Sequence, residues 1–274
     1  MELDTTHRPA MRILNHAART YDALSKNATH NFAASHALSL YAADAVYSFI
    51  PKNACSTLRL SLALANGCIS STEDFNWIHQ NNRTFQTSLS ALVTASYTFT
   101  ILRCPYARLA SVYLDKIVNR DLSAWNLYRL MKRTIPVEEF TFNRFITLLA
   151  EDRVRRGDIH WRPQVDFLVY KRYDDYFCLE QFSTAVKTLK EKIDFTVVDA
   201  RPFTLHGISN LALIDEGDFS NTAPDEIRAL KAAGKCPAPR RLYTKVLTGV
   251  VSQHYKEDID MYVALFGKKD LMFS

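Results

Sequence analysis

Of the 274 residues, 47% are hydrophobic and 23% charged, which is globular composition with enough apolar material for one large α/β domain or two small ones. The formal net charge of +5 is mild, and no run of five or six like charges occurs, so a basic tail of the nucleic-acid type is excluded. Five scattered cysteines (Cys55, Cys68, Cys104, Cys178 and Cys236) contain no C-x-x-C pair, which argues against a disulfide framework or zinc site and for free thiols in a reducing compartment.

Residues 1–19 are polar and hold no apolar core of signal-peptide type. No stretch reaches the roughly 18 apolar residues that span a bilayer; the most apolar run, residues 37–51, is interrupted by Asp44. The chain as written therefore reads as soluble and cytoplasmic, with the Golgi lumen as the alternative if an anchor was trimmed. Residues 10–24 read as an amphipathic helix. Residues 46–50 are β-branched and aromatic and end at Pro51, so they predict a strand, and residues 56–65 predict a helix opened by hydroxyl side chains. Residues 96–102 form a second strand of strong β composition, with Arg103 at its carboxyl end. Pro105 suits a helix start, and residues 106–118 carry apolar side chains at helical spacing.

Further along, residues 138–150 predict a helix with Phe142, Phe145, Ile146 and Leu149 on one face. Residues 176–179 and 195–198 are strand candidates, and residues 182–192 a helix. Residues 224–233 predict a helix stopped by Gly234, and residues 240–266 one or two helices, broken near Gly249. Strands alternating with helices predict a three-layer, P-loop-like α/β fold with a central, mainly parallel sheet flanked by helices. No linker rich in Pro, Gly and Ser appears. The expectation is one domain over 1–274, with a helical segment at 1–44 and a core at 45–267.

Two stretches carry chemistry. The first is Pro51-Lys52-Asn53-Ala54-Cys55-Ser56-Thr57, at the carboxyl end of a strand and the amino end of a helix, where open α/β sheets bind ligands. A helix N-terminus offers free N–H groups and a positive dipole end to a phosphate, Ser56 and Thr57 add hydroxyls, and Lys52 adds a mobile cation. A solvated lysine and an ordinary helix cap is the plain alternative. The G-x-x-x-x-G-K-[ST] pattern of ordinary ATPases is absent. The second stretch runs from Arg103 through Pro105 and Arg108 to Ser111 and Tyr113. Arg103 offers a planar fork for a phosphate and Ser111 a hydroxyl to the same group, while Arg108 either reaches the phosphate or pairs with a neighbouring carboxylate, the structural role being the favoured one.

Order, spacing and flanking strands together resemble the PAPS-dependent sulfotransferases (PAPS is 3′-phosphoadenosine 5′-phosphosulfate). Residues 51–57 look like the family's 5′-phosphosulfate loop and residues 103–113 like its 3′-phosphate motif. The branch it is most similar to comprises the family 2 carbohydrate sulfotransferases that modify chondroitin and dermatan, with their bacterial relatives. His160-Trp161-Arg162-Pro163-Gln164, followed by Tyr173-Asp174 and Glu180, extends the likeness, as do Tyr255, Asp258, Phe266 and Gly267. Cys104 stands where an Asp, His or Asn is common, and Ala54 where many members have glycine.

The resemblance implies in-line transfer of a sulfuryl group from PAPS to a hydroxyl on an acceptor, a carbohydrate by branch, with PAP as the other product and no metal. It implies Lys52 at the leaving oxygen. The backbone of Asn53, Ala54, Cys55, Ser56 and Thr57 would hold the 5′-phosphate, and Arg103 and Ser111 the 3′-phosphate. A general base is needed. His79, between the two motifs, is the first candidate and His160 the second, with Glu73 and Asp74 behind them. His7, His16, His30, His36, His206 and His254 read as ordinary surface or helix residues. Trp77, Trp125 and Trp161 are candidates to stack on a sugar or adenine, with core packing the alternative and the favoured one for Trp125. Arg153, Arg155 and Arg156 read as a solvated helix end or a site for an anionic sugar. A nucleotide-dependent phosphotransferase and a non-catalytic nucleotide- or glycan-binding scaffold are the rival readings. A nucleic-acid partner is not expected for want of a basic, aromatic-studded face. A homodimer is left open.

Overall fold

The structure is a computed structural model that describes residues 11–273 apart from 82, 204–206, 208 and 209. The expected helix over residues 10–24 is absent from its described part. Leu14 instead bridges Tyr170 in antiparallel fashion, and only a single 3-10 turn, Leu24–Lys26, follows. The segment's backbone groups are engaged elsewhere. Arg12 N–H donates to Val93 O, Asn15 N–H to Val169 O, and Lys171 N–H to Ile13 O, so the helical i to i−4 ladder has no partners left.

Helix α1 (Ala28–Ala34) leads into β1 (Ala37–Leu40), which turns through Asp44 into β2 (Ala45–Ser48). A strand thus lies inside the segment expected to be helical. Helices α2 (Cys55–Ala65), α3 (Trp77–Gln80) and α4 (Leu89–Thr94) precede β3 (Tyr97–Leu102). Helix α5 (Pro105–Val112) continues into one π-helical turn, Tyr113–Ile117, and α6 (Leu122–Leu130) follows. Next come α7 (Phe142–Leu148), α8 (Asp152–Arg155), β4 (Asp175–Cys178) and α9 (Phe182–Ile193). A small parallel pair, β5 (Ala212–Ile214) and β6 (Lys235–Pro237), brackets α10 (Pro224–Ala232), and α11 (Lys245–His254) and α12 (Lys256–Phe266) close the chain.

The main sheet has the order β1-β2-β3-β4. The β1–β2 pair is antiparallel; β2–β3 and β3–β4 are parallel, with Ala45 opposite Tyr97 and Phe99 opposite Asp175. This is the α/β fold expected, a mostly parallel sheet flanked by helices. Strands β2 and β3 are buried along their whole length, as a sheet covered on both faces requires. Period-two alternation divides their side chains. Tyr47, Phe99, Ile101 and Phe177 pack with Leu58 and Leu62 of α2 and Leu189 of α9, whereas Val46 and Leu102 pack with Phe167 and Tyr170. A third apolar cluster joins α5, α6, α7, α11 and α12 around Phe142, Phe145 and Trp161.

Three further expectations are corrected. Residues 195–198 form no strand among the described residues, because Val198 N–H donates to Ser61 Oγ and so holds the segment against α2. The helix expected over 138–150 divides, with Val137–Glu139 a 3-10 turn and Thr141 capping α7 through its side chain. The C-terminal helices break at Tyr255 rather than at Gly249, and the Tyr255 hydroxyl donates to Trp161 O at 2.7 Å.

Candidate active site

The loop after β2 leaves the strand at Ser48 and enters α2 at Cys55. Lys52 (φ 72°) and Ala54 (φ 56°) both take the left-handed conformation. Glycine adopts it without strain, whereas a side chain costs about 1–2 kcal/mol there. Ala54 is the N-cap residue of α2 and offers no side-chain hydrogen bond to the helix. The first turn of α2 therefore points its amide groups and dipole end into a cavity of about 1080 Å³. Ala54, Cys55, Ser56 and Thr57 line that cavity, with Lys52, Arg103 and Ser111. Asn53 is the exception among the loop residues. Its N–H donates to Ile50 O, and its fully buried side-chain amide donates to Ile101 O and Gln164 Oε1, away from the cavity.

Lys52 is held by Asp115, with Nζ to Oδ2 at 2.7 Å. The π turn after Ser111 brings Asp115 to this position; π turns inside helices commonly sit at functional sites. Burial draws the Lys52 ammonium below its ordinary value, and the nearby Asp115 carboxylate offsets part of that. Lys116 lies 3.5 Å from Asp115 and 2.7 Å from Asp121, and all three line the cavity. Burial would lower the Lys116 ammonium too, but the two carboxylates outweigh it and hold it above its ordinary value.

Arg103 follows β3 directly. Its Nη1 donates to Lys52 O at 3.0 Å, so the arginine that ends one strand braces the loop that ends its neighbour. Burial draws its guanidinium below the ordinary value, with Glu180 and Cys104 acting in the opposite sense. Arg108 is 1% exposed, is not part of the cavity lining and acts as a latch. It donates to Pro51 O at 3.1 Å, Arg162 O at 2.8 Å and Ile159 O at 3.4 Å. The structural role expected for it is the one observed.

Both candidate bases reach the same cavity. His79, on α3, meets Phe75 edge-on at 5.1 Å. His160 is oriented by a carboxylate, with Nδ1 at 2.8 Å from Asp158 Oδ1 and 2.9 Å from Ser123 Oγ. Asp158 also accepts the His160 backbone N–H and the Asn126 amide. Burial alone would raise the Asp158 carboxyl, but the contacts with His160 and Asn126 hold it below the usual carboxylate range. With Nδ1 engaged, Nε2 is the ring nitrogen that remains to accept a proton. Glu73 and Asp74 are exposed and lie outside the cavity lining.

The remaining candidates part ways. Trp161 is fully buried and donates to Val154 O, so it is core, and Trp77 packs against Phe85. Trp125, expected in the core, is 45% exposed. Arg153, Arg155 and Arg156 pair with Glu151, Asp152 and Asp166 around α8, which is the self-neutralised helix end. His16 and His36 are buried and lie outside the helices, whereas His30 is a helix residue, in α1, and is buried as well. His36 packs among Phe32, Phe49 and Phe167, and burial lowers it to about 4. His7 and His206 lie outside the described residues.

Sequence reasoning missed Asp115, Asp158 and the role of Gln164. Asp115 follows Ser111 by four residues, and Asp158 precedes His160 by two, so both were within reach of the motifs already singled out. Neither spacing is diagnostic without the π turn and the loop that place them.

Adjacent parallel strands ending in an uncapped helix N-terminus and a braced arginine define an α/β protein suited to anionic ligands. Comparison with protein families carries this further. The chain belongs to the sulfotransferase family, whose family 2 model matches residues 42–262. Searches of the curated proteins and of the solved structures return no match. Membership supports sulfotransfer as the general activity and a hydroxyl-bearing acceptor, and the family generally uses PAPS as donor. Among the described residues, no helix is long and apolar enough to cross a membrane.

Proposed function

We propose that this protein is a single-domain enzyme that transfers a sulfuryl group from PAPS to a hydroxyl of a carbohydrate, with His160 as general base. The observation that carries the reading is the single cavity lined by Lys52, the α2 N-terminus, Arg103, Ser111 and His160. The donor fits the residues present. Its 5′-phosphate suits an uncapped helix N-terminus with the hydroxyls of Ser56 and Thr57, and its 3′-phosphate suits the fork of Arg103 with Ser111. When bound, it supplies an activated sulfuryl group on a phosphate leaving group.

The chain's residues then divide the work as in phosphoryl transfer, where positioning and charge stabilisation dominate. The α2 amides and dipole hold the 5′-phosphate. Lys52, released from Asp115 to the leaving oxygen, neutralises the charge that develops there. His160 Nε2 takes the acceptor hydroxyl proton, and Asp158 at Nδ1 fixes the tautomer and stabilises the imidazolium that forms. The Asp158 contact at Nδ1 is what supports His160 as the base. The acceptor class rests on the family branch that the motifs resemble.

Sulfuryl transfer from PAPS to a panel of soluble glycans tests the reading. His160→Ala is expected to lower kcat by about 10²–10⁴-fold with PAP affinity unchanged, and Asp158→Asn to lower it less. His79→Ala is expected to stay within about tenfold of wild type. The reverse ranking would return the base to His79, and no transfer to any glycan would remove the carbohydrate assignment.

A further inference from the structure

Gln164 is not part of the lining of the cavity described above, yet it touches both halves of the proposed nucleotide site. It is 1% exposed. Its Oε1 accepts from Asn53 Nδ2 at 2.6 Å and from Arg103 N–H at 3.0 Å, and its Nε2 donates to Arg103 O at 2.9 Å. Asn53 belongs to the loop that enters α2, and Arg103 ends β3. One amide therefore spans the two loops and uses acceptor and donor on the same arginine backbone. Asn53, fully buried, extends the network to Ile101 O in β3 at 2.9 Å.

The glutamine is itself clamped. Asp258 of α12, also 1% exposed, accepts the Gln164 N–H at 2.8 Å and the Val165 N–H at 3.0 Å. Contacts of this kind have little freedom, because a buried amide group without a partner costs about 1–3 kcal/mol. An amide suits the position better than a carboxylate, which has no donor for Arg103 O.

We propose that Gln164 is a positioning residue that fixes the 5′-phosphate loop against the 3′-phosphate arginine, so that two phosphates of one nucleotide are bound together. The proposal rests on the PAPS reading above. A ligand with two rigidly separated anionic groups gains from both sites only if their spacing is held to a fraction of an ångström. Arg103 Nη1 on Lys52 O and Arg108 on Pro51 O brace the same loop, and Gln164 bonds loop and arginine backbone at once.

The test is calorimetric titration of the full chain with PAP and with 5′-AMP, which lacks the 3′-phosphate. In wild type, the ratio of the two affinities measures how far the 3′-phosphate contributes. In Gln164→Ala this ratio is expected to fall at least about tenfold while 5′-AMP affinity stays within about threefold, a coupling loss of ordinary size for linked sites. Gln164→Glu keeps the acceptor oxygens and is expected to retain part of the ratio; it carries the test if Gln164→Ala does not fold. An unchanged ratio in the variants, or an equal loss for both ligands, would overturn the positioning role and leave the nucleotide reading standing. Wild type that binds PAP no better than 5′-AMP would instead overturn that reading itself.

Discussion

Replacing Lys52 by alanine is expected to lower the rate of sulfuryl transfer by about 10²–10³-fold while PAP binding weakens less than about tenfold, because the ammonium acts on charge that develops only during transfer. The split between rate and binding follows from the geometry. In the resting site Lys52 Nζ faces the Asp115 carboxylate at 2.7 Å, so it has a partner before any ligand arrives. In the proposed mechanism the α2 N-terminus and Arg103 carry the ligand's ground state. The substitution does not strand Asp115, since Lys116 lies 3.5 Å from the same oxygen. Initial rates and calorimetry on the same preparation decide the matter. Equal losses in kcat and PAP affinity would make Lys52 a binding residue only.

Replacing Arg103 by alanine is expected to weaken PAP about 100-fold, about 2.7 kcal/mol, and 5′-AMP less than about threefold. A charged fork facing a phosphate contributes in that range, and only PAP has the phosphate concerned. Arg103→Lys keeps the charge but loses the planar pair of donors and the brace to Lys52 O at 3.0 Å, so it should recover only part of the loss. Equal weakening of both nucleotides would show that Arg103 supports the loop and reads no phosphate.

Much of this fold was legible because its central strands are short and fully buried. The runs ending at Pro51 and Arg103 are β-branched and aromatic, and each opens onto a helix, so strand, turn and helix are written locally. What failed was decided by distant partners. The periodicity of residues 10–24 is helical, yet its backbone pairs with Val93, Val169 and Lys171, and no local pattern announces that. Residues 195–198 have strand composition but meet the side of α2 instead of a sheet edge. The two stretches that meet at one cavity, after β2 and after β3, were readable from residue type and spacing. The carboxylates that act on them were not: Asp115 depends on a single π turn, and Asp158 on the loop that folds it under the His160 ring.

Gln164 shows a further limit of the same kind. Its motif could be seen as a likeness, but its work, joining Asn53 to Arg103, exists only once β2 and β3 lie side by side. The same holds for Asp258, more than ninety residues away in sequence. Its carboxyl is raised by burial to about 6, while the N–H groups of Gln164 and Val165 and the charge of Arg108 pull it down.

The most direct test of the central claim is titration of the wild-type chain with PAP, 5′-AMP and ATP. With Arg103 and Ser111 as the proposed 3′-phosphate site, the account predicts that PAP binds at least about 100-fold tighter than either 5′-AMP or ATP. Failure to bind PAP, or equal affinity for ATP, would contradict the account and favour a phosphotransferase or a non-catalytic scaffold.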